Sequence, residues 1–134
     1  MAEVVIFDTD ILIDAGWQLE QAVHVLLETE QNAKLAISVI TEMEMIVGCR
    51  NKTELQKVEQ FLERFTVIKL SENISDLAVD LMKRYRANHG LKMPDALVAA
   101  TAIVQQAPLM TKNQKDFRFI ESINTFATYR LVTG

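Results

Sequence analysis

The sequence predicts an α/β domain: a three-layer α/β/α sandwich around a central, mostly parallel sheet of five strands. Three observations lead there. Short continuous runs of β-branched and apolar residues, such as "VVIF" at 4–7, have the pattern of strands buried on both faces. These runs alternate with stretches whose apolar residues recur at helical spacing, the arrangement that yields a parallel sheet covered on both sides. Four glycines and two prolines leave few breaks in 134 residues, so helices should dominate and residues 1–134 should form one domain.

The first strand is expected at 4–7. Leu19, Ala22, Val23, Leu26 and Leu27 then mark one face of an amphipathic helix over roughly 17–31. "LAIS" at 35–38 is the second strand, and either Ser38 or Thr41 can cap the helix that follows it to Gly48. Leu55, Val58, Phe61, Leu62 and Phe65 define another helix near 54–65, and "TVIKL" at 66–70 is the third strand. Ser71 caps the most regular helix, with Ile74, Leu77, Ala78, Leu81, Met82 and Tyr85 on one stripe. After a loop at 88–93, Pro94 takes the first position of a helix to about Gln106, with Asp95 in its first turn. "PLMT" at 108–111 is the fourth strand, "NQKDF" a turn or short helix, and "FATYRLV" at 126–132 the fifth strand.

Composition narrows the function classes. The lone Cys49 rules out an internal disulfide and a four-cysteine zinc site, which suits a reducing, cytoplasmic setting. No basic-then-apolar leader precedes Val4, and no run reaches the ~18 apolar residues that a membrane span needs. The net charge of −4 argues mildly against nucleic-acid binding unless the excess acid is concentrated in one site. The acids fall in a pattern of that kind. In open α/β sheets, functional groups collect beyond the carboxyl ends of the strands. Asp8 and Asp10 follow the first strand, Glu42 and Glu44 the second, Asn113 and Asp116 the fourth, and Asp95 opens a helix. Taken singly, each is equally well a cap or a solvated surface acid. Carboxylates gathered at one sheet edge repel one another, and so call for a cation. Oxygen ligands without a Cys or His partner suit a hard ion, Mg²⁺ or Mn²⁺. His24 and His89 read as surface or packed histidines, and Asp14 as a surface acid at a helix end.

Four segments in order, "VVIFDTDILID", "ISVITEMEMIVG", "PDALVAATA" and "LMTKNQKDF", resemble the PIN-domain ribonucleases, and more narrowly the VapC-type toxins of toxin–antitoxin pairs. The resemblance spans residue 4 to about 117. It implies a PIN-like fold, an acidic pocket binding Mg²⁺ or Mn²⁺, endonuclease activity on RNA, a cognate antitoxin as partner and a homodimer. Carried over by motif, the catalytic and metal-binding acids are Asp8, Glu44, Asp95 and Asp116. Periodicity does not choose between Glu42 and Glu44; the family's T-x-x-E-L-x-x-G pattern selects Glu44 and leaves Glu42 as a helix-start charge. Thr111 and Asn113 correspond to residues that support the ligands or position water. Asp10 stands where the family often has Asn or Ser, so it binds metal either directly or through water. Without the four matched acids the remaining net charge is zero. The acid-free run "KRYRANHGLK" (83–92), with Lys83, Arg84, Arg86 and Lys92, is placed to track a phosphate backbone, or else is a solvated helix end.

Other readings differ in testable ways. The D-x-D after a strand also resembles the haloacid-dehalogenase phosphatases, with a nucleophilic first Asp. The late glycine–aspartate motif of those enzymes is missing, and Glu72 is a poor stand-in for the third-strand acid of a receiver domain. A non-catalytic PIN-like interaction module would keep the acids only as charge and use its helices to bind a partner.

Overall fold

The computed structural model describes residues 3–123 and 125–127. In chain order the elements are β1 (Glu3–Phe7), α1 (Thr9–Gly16), α2 (Glu20–Asn32), β2 (Ala33–Ser38), α3 (Val39–Val47), α4 (Lys52–Leu62), β3 (Thr66–Ile68), α5 (Glu72–His89), α6 (Met93–Gln105), β4 (Leu109–Thr111), a 3₁₀ turn (Gln114–Asp116) and β5 (Thr125–Ala127). The strands form one five-stranded sheet in the order β3-β2-β1-β4-β5, and every pairing is parallel. The expected sandwich is therefore present.

Alternation along the strands divides the core in two. Val5 and Phe7 of β1, with Leu35 and Ile37 of β2, face a cluster containing Ile11, Leu12, Leu26, Leu62 and Phe65. Ile6 and Ala36, one residue out of phase, face the other cluster with Ile74, Leu81, Val98, Leu109 and Phe117. Both faces are covered, which is why these strands read as unbroken apolar runs. Ala96, Ala99, Ala100 and Ala102 are buried on α6, and their small side chains let that helix lie close to its neighbours. Phe65 is buried and meets Phe7 edge-on at 6.2 Å, so it belongs to the core.

Local chemistry sets the helix ends. Asp8 caps α1 by accepting from the Thr9 N–H, and Ser38, not Thr41, caps α3 through the Ile40 N–H. Asn51 and Ser71 cap α4 and α5. Each such cap is worth roughly 1 kcal/mol. α5 stops at Gly90, whose φ of +69° is left-handed. The Arg86 guanidinium donates to the carbonyls of Gly90 (3.3 Å) and Leu91 (3.2 Å), fastening the turn that leads into α6.

The largest difference from the sequence reading is α1, which was not expected as a separate helix. It occupies eight residues after the Asp8 cap, about two turns, and its adjacent Ile11, Leu12 and Ile13 set no helical spacing in the sequence. The helix expected over 17–31 accordingly begins at Glu20, after a turn in which Gln18 is left-handed. α5 runs on to His89, shortening the expected loop, and Pro94 is the second residue of α6, which begins at Met93. β5 starts one residue early, and positions 128–132 of that expected strand lie outside the described residues. Among the described residues no helix is long and apolar enough to cross a membrane.

Gly90→Ala places a Cβ in open space but forces a left-handed backbone on alanine. The cost should be about 1 kcal/mol, lowering Tm by about 3 °C. Thermal unfolding followed by circular dichroism checks this, and an unchanged Tm would contradict it.

Candidate active site

Strand order reverses at β1, which has β2 on one side and β4 on the other. A crevice beyond the carboxyl ends of β1 and β4 follows from that topology. The Asp8 N–H donates to the Met110 carbonyl at 2.9 Å, so the end of β1 is tied to β4. Asp8 is buried. Its Oδ1 accepts from the Thr9 N–H (2.9 Å) and its Oδ2 from the Thr111 hydroxyl (2.8 Å).

Asp10, in the first turn of α1, reaches the same place. Its Oδ2 accepts from the Lys112 N–H at 3.1 Å and lies 3.3 Å from Thr111 Oγ1. Thr111 has one hydroxyl proton for two carboxylates, and the shorter contact assigns it to Asp8. The other oxygen of Asp10, Oδ1, is buried without a hydrogen-bond partner. The Asn113 N–H donates to Thr111 Oγ1 at 3.1 Å, so Asn113 supports the threonine through its backbone.

The carboxylates feel one another. Burial, followed by the charge of Asp10, pushes the Asp8 carboxyl up to about 7, with Asp95 adding a smaller push. Asp95, in the first turn of α6, rises to about 6. Burial is again the main cause, with Asp116, Glu44 and Asp10 raising it further and Lys92 opposing them. Burial also raises Asp10, against the Lys112 N–H and ammonium. Five sequence-predicted acids therefore share one electrostatic environment. Asp8, Asp10 and Asp95 form its covered part, while Glu44 and Asp116 are exposed. As placed, no three acidic, histidine or cysteine side chains among the described residues stand close enough to hold one ion together. The donor set is nonetheless all hard oxygen, and the buried Asp10 Oδ1 makes no hydrogen bond. Both features fit a hard divalent ion.

Residues 5–121 match the PIN domain family. Ribonuclease VapC10 of Mycobacterium tuberculosis is 35% identical over 121 residues, which cover 90% of each protein. The chain belongs to the PIN-domain family, in its VapC ribonuclease branch. A toxin–antitoxin complex from Klebsiella pneumoniae contains a chain 34% identical to this one, with a TM-score of 0.80 over 95% of this chain and 99% of that one. VapBC2 from Rickettsia felis, 24% identical, shares the fold at a TM-score of 0.82 over 92% and 98% of the two chains.

Within this PIN domain several residues near the acids carry no signal of their own in the sequence. Thr9, between the two aspartates, has its hydroxyl 2.7 Å from Glu44 Oε1 and 2.9 Å from Thr41 Oγ1. A carboxylate only accepts, so Thr41 donates to Thr9 and Thr9 to Glu44. Lys112 pairs with Asp14, and both side chains are largely covered. Asp14 is therefore an ion-pair partner beside the site, not the exposed helix-end acid expected. Of the basic run, Arg86 is engaged by its own turn, Arg84 lies 3.8 Å from Asp80, and Lys92 lines a small cavity with Asp95 and Asp116. Lys83 is exposed on α5, and Glu42 is half-buried on α3.

Above about pH 4 the unfolded chain has released the protons that folded Asp8 and Asp95 still hold. Their contribution therefore favours folding at low pH and is lost as pH rises to about 7. For Asp8 the change is on the order of a few kcal/mol. In the presence of chelator, Asp8→Asn should gain stability over wild type as pH is raised from 5 to 7.5. Urea titrations at both pH values measure that difference, and a difference independent of pH would contradict the crowding.

Proposed function

We propose that this PIN domain is a Mg²⁺- or Mn²⁺-dependent endoribonuclease and the toxin of a VapBC-type pair, acting in the cytoplasm. Its membership in the VapC branch supports the ribonuclease activity and a cognate antitoxin as partner. The observation that carries the metal dependence is the bare, buried Oδ1 of Asp10 beside an Asp8 carboxyl raised to about 7. A group of acids short of positive charge and donors is stabilised by a divalent cation.

Asp8, Asp10, Glu44, Asp95 and Asp116 are the residues that would hold the ion. When bound, it supplies Lewis acidity, making water a better nucleophile and offsetting charge on the phosphoryl oxygens. The protein's own part is positioning. Thr111 and the Thr9 N–H orient Asp8, the Lys112 N–H orients Asp10, and Thr9 fixes Glu44. With Asp8 and Asp10 each tied to a backbone N–H, their oxygens are set before the substrate arrives. In-line opening of the phosphodiester leaves a 5′-phosphate and a 3′-hydroxyl.

The purified chain, free of antitoxin, should cleave cellular RNA with Mn²⁺ and stop when the ion is chelated. Asp8→Asn and Asp95→Asn should lower the rate by more than the roughly 10–100-fold that losing an outer-shell partner of a metal costs. Both variants should stay folded. Asp10→Asn keeps one ligand oxygen, and its loss should fall inside that range. Sequencing of the new ends checks the chemistry. Neither cleavage nor a Mn²⁺-dependent rise in Tm would point instead to a non-catalytic interaction module.

A further inference from the structure

His89 ends α5 with its imidazole lying flat on the Phe119 ring, centroids 4.4 Å apart and planes within 4°. Tyr85, one turn earlier, tilts against both rings, at 5.2 Å from Phe119 and 5.9 Å from His89. These three distances put Tyr85 on the Phe119 side of the imidazole. His89 is nevertheless exposed, so stacking on Phe119 leaves part of the residue accessible to solvent. The ring also sits on the acidic crevice: His89, Lys92, Asp95, Lys115, Asp116 and Phe119 line one cavity of about 80 Å³. Gly90 and the Arg86 clamp stop α5 at this point, which places His89 beside the cavity.

We propose that the outer face of His89 is a stacking platform for one nucleobase of single-stranded RNA, with Lys92 and Lys115 taking the adjoining phosphate. The proposal rests on the ribonuclease reading and locates a substrate contact for it. A flat ring beside two ammonium groups matches the base-then-phosphate repeat of a single strand. The cavity itself is too small for a base. It admits phosphate oxygens between the lysines and the acids, and leaves the base to lie outside, on the imidazole. Phe119 and Tyr85 fix the ring beforehand, so little side-chain freedom is lost when the base stacks. Lys92 already faces the acids, since it partly offsets the rise at Asp95.

The test uses the full chain carrying Asp8→Asn, which prevents cleavage, and a short fluorescein-labelled single-stranded RNA followed by anisotropy. Adding His89→Ala should weaken binding about tenfold, whereas His89→Phe, which keeps a flat ring, should stay within about twofold. An abasic strand of the same length should bind His89→Ala and the parent equally. This control separates loss of stacking from a disturbed helix end. Lys92→Gln and Lys115→Gln together should lower the slope of log affinity against log salt by about 0.7, the share of one phosphate. Unchanged affinity in His89→Ala, equal losses in Ala and Phe, or an abasic strand as sensitive as the parent RNA would each overturn the platform. If wild type cleaves RNA while His89→Ala behaves identically, only the platform fails. If wild type neither binds nor cleaves RNA, the ribonuclease reading fails with it.

Discussion

The parallel pairing of β1 with β4 is the contact on which the site depends. It brings residue 8 against residues 110 and 111, more than a hundred positions away, through the Asp8 N–H to Met110 bond and the Thr111 hydroxyl. Once these strands are neighbours, Asp8 and Asp10 at the end of one meet Thr111, Lys112 and Asn113 at the end of the other. α6 then needs only to pack against the sheet for Asp95 to join them. Without this pairing the acids would be separate surface charges, each hydrated and ordinary in its acidity.

The same pairing creates a conflict that the fold alone does not resolve. Burying Asp8 removes water from a carboxylate, while Asp10 and Asp95 add repulsion to the loss of solvation. Two backbone N–H groups and one hydroxyl answer part of this, and the Lys112–Asp14 pair brings a cation close to Asp10. One buried oxygen of Asp10 makes no hydrogen bond. Local conflicts of this kind concentrate where a protein binds something, because the ligand supplies what the chain withholds.

Much of this was legible beforehand, for identifiable reasons. Buried parallel strands leave unbroken apolar runs, so the strands at 4–7 and 35–38 could be read directly, as could the long stripe of α5; the third, read as 66–70, ends at Ile68. The acids were legible because they follow strand ends and fall in motifs shared with the PIN family. α1 was not, because a helix of eight residues whose apolar Ile11, Leu12 and Ile13 are adjacent shows no helical period. The partners of the acids were also hidden. Thr9 looks like any threonine until α3 brings Glu44 and Thr41 to it, and Asp14 looks like a surface acid until β4 delivers Lys112. His89 read as an ordinary packed or surface histidine because its stacking on Phe119 depends on where the 3₁₀ turn leads the chain.

The acids differ in how much freedom they retain. Asp8 is locked on a strand end, and Asp95 rides on a helix whose alanines leave it little room to shift. Glu44 and Asp116 are exposed, one on α3 and the other in a three-residue turn. Gathering the oxygens around a ligand therefore costs conformational entropy mainly on one side of the crevice. Each immobilised side chain there subtracts about 0.5–1.5 kcal/mol from affinity. Thr9, by holding Glu44 in advance, takes part of that cost during folding, which leaves Asp116 as the acid with most motion still to lose.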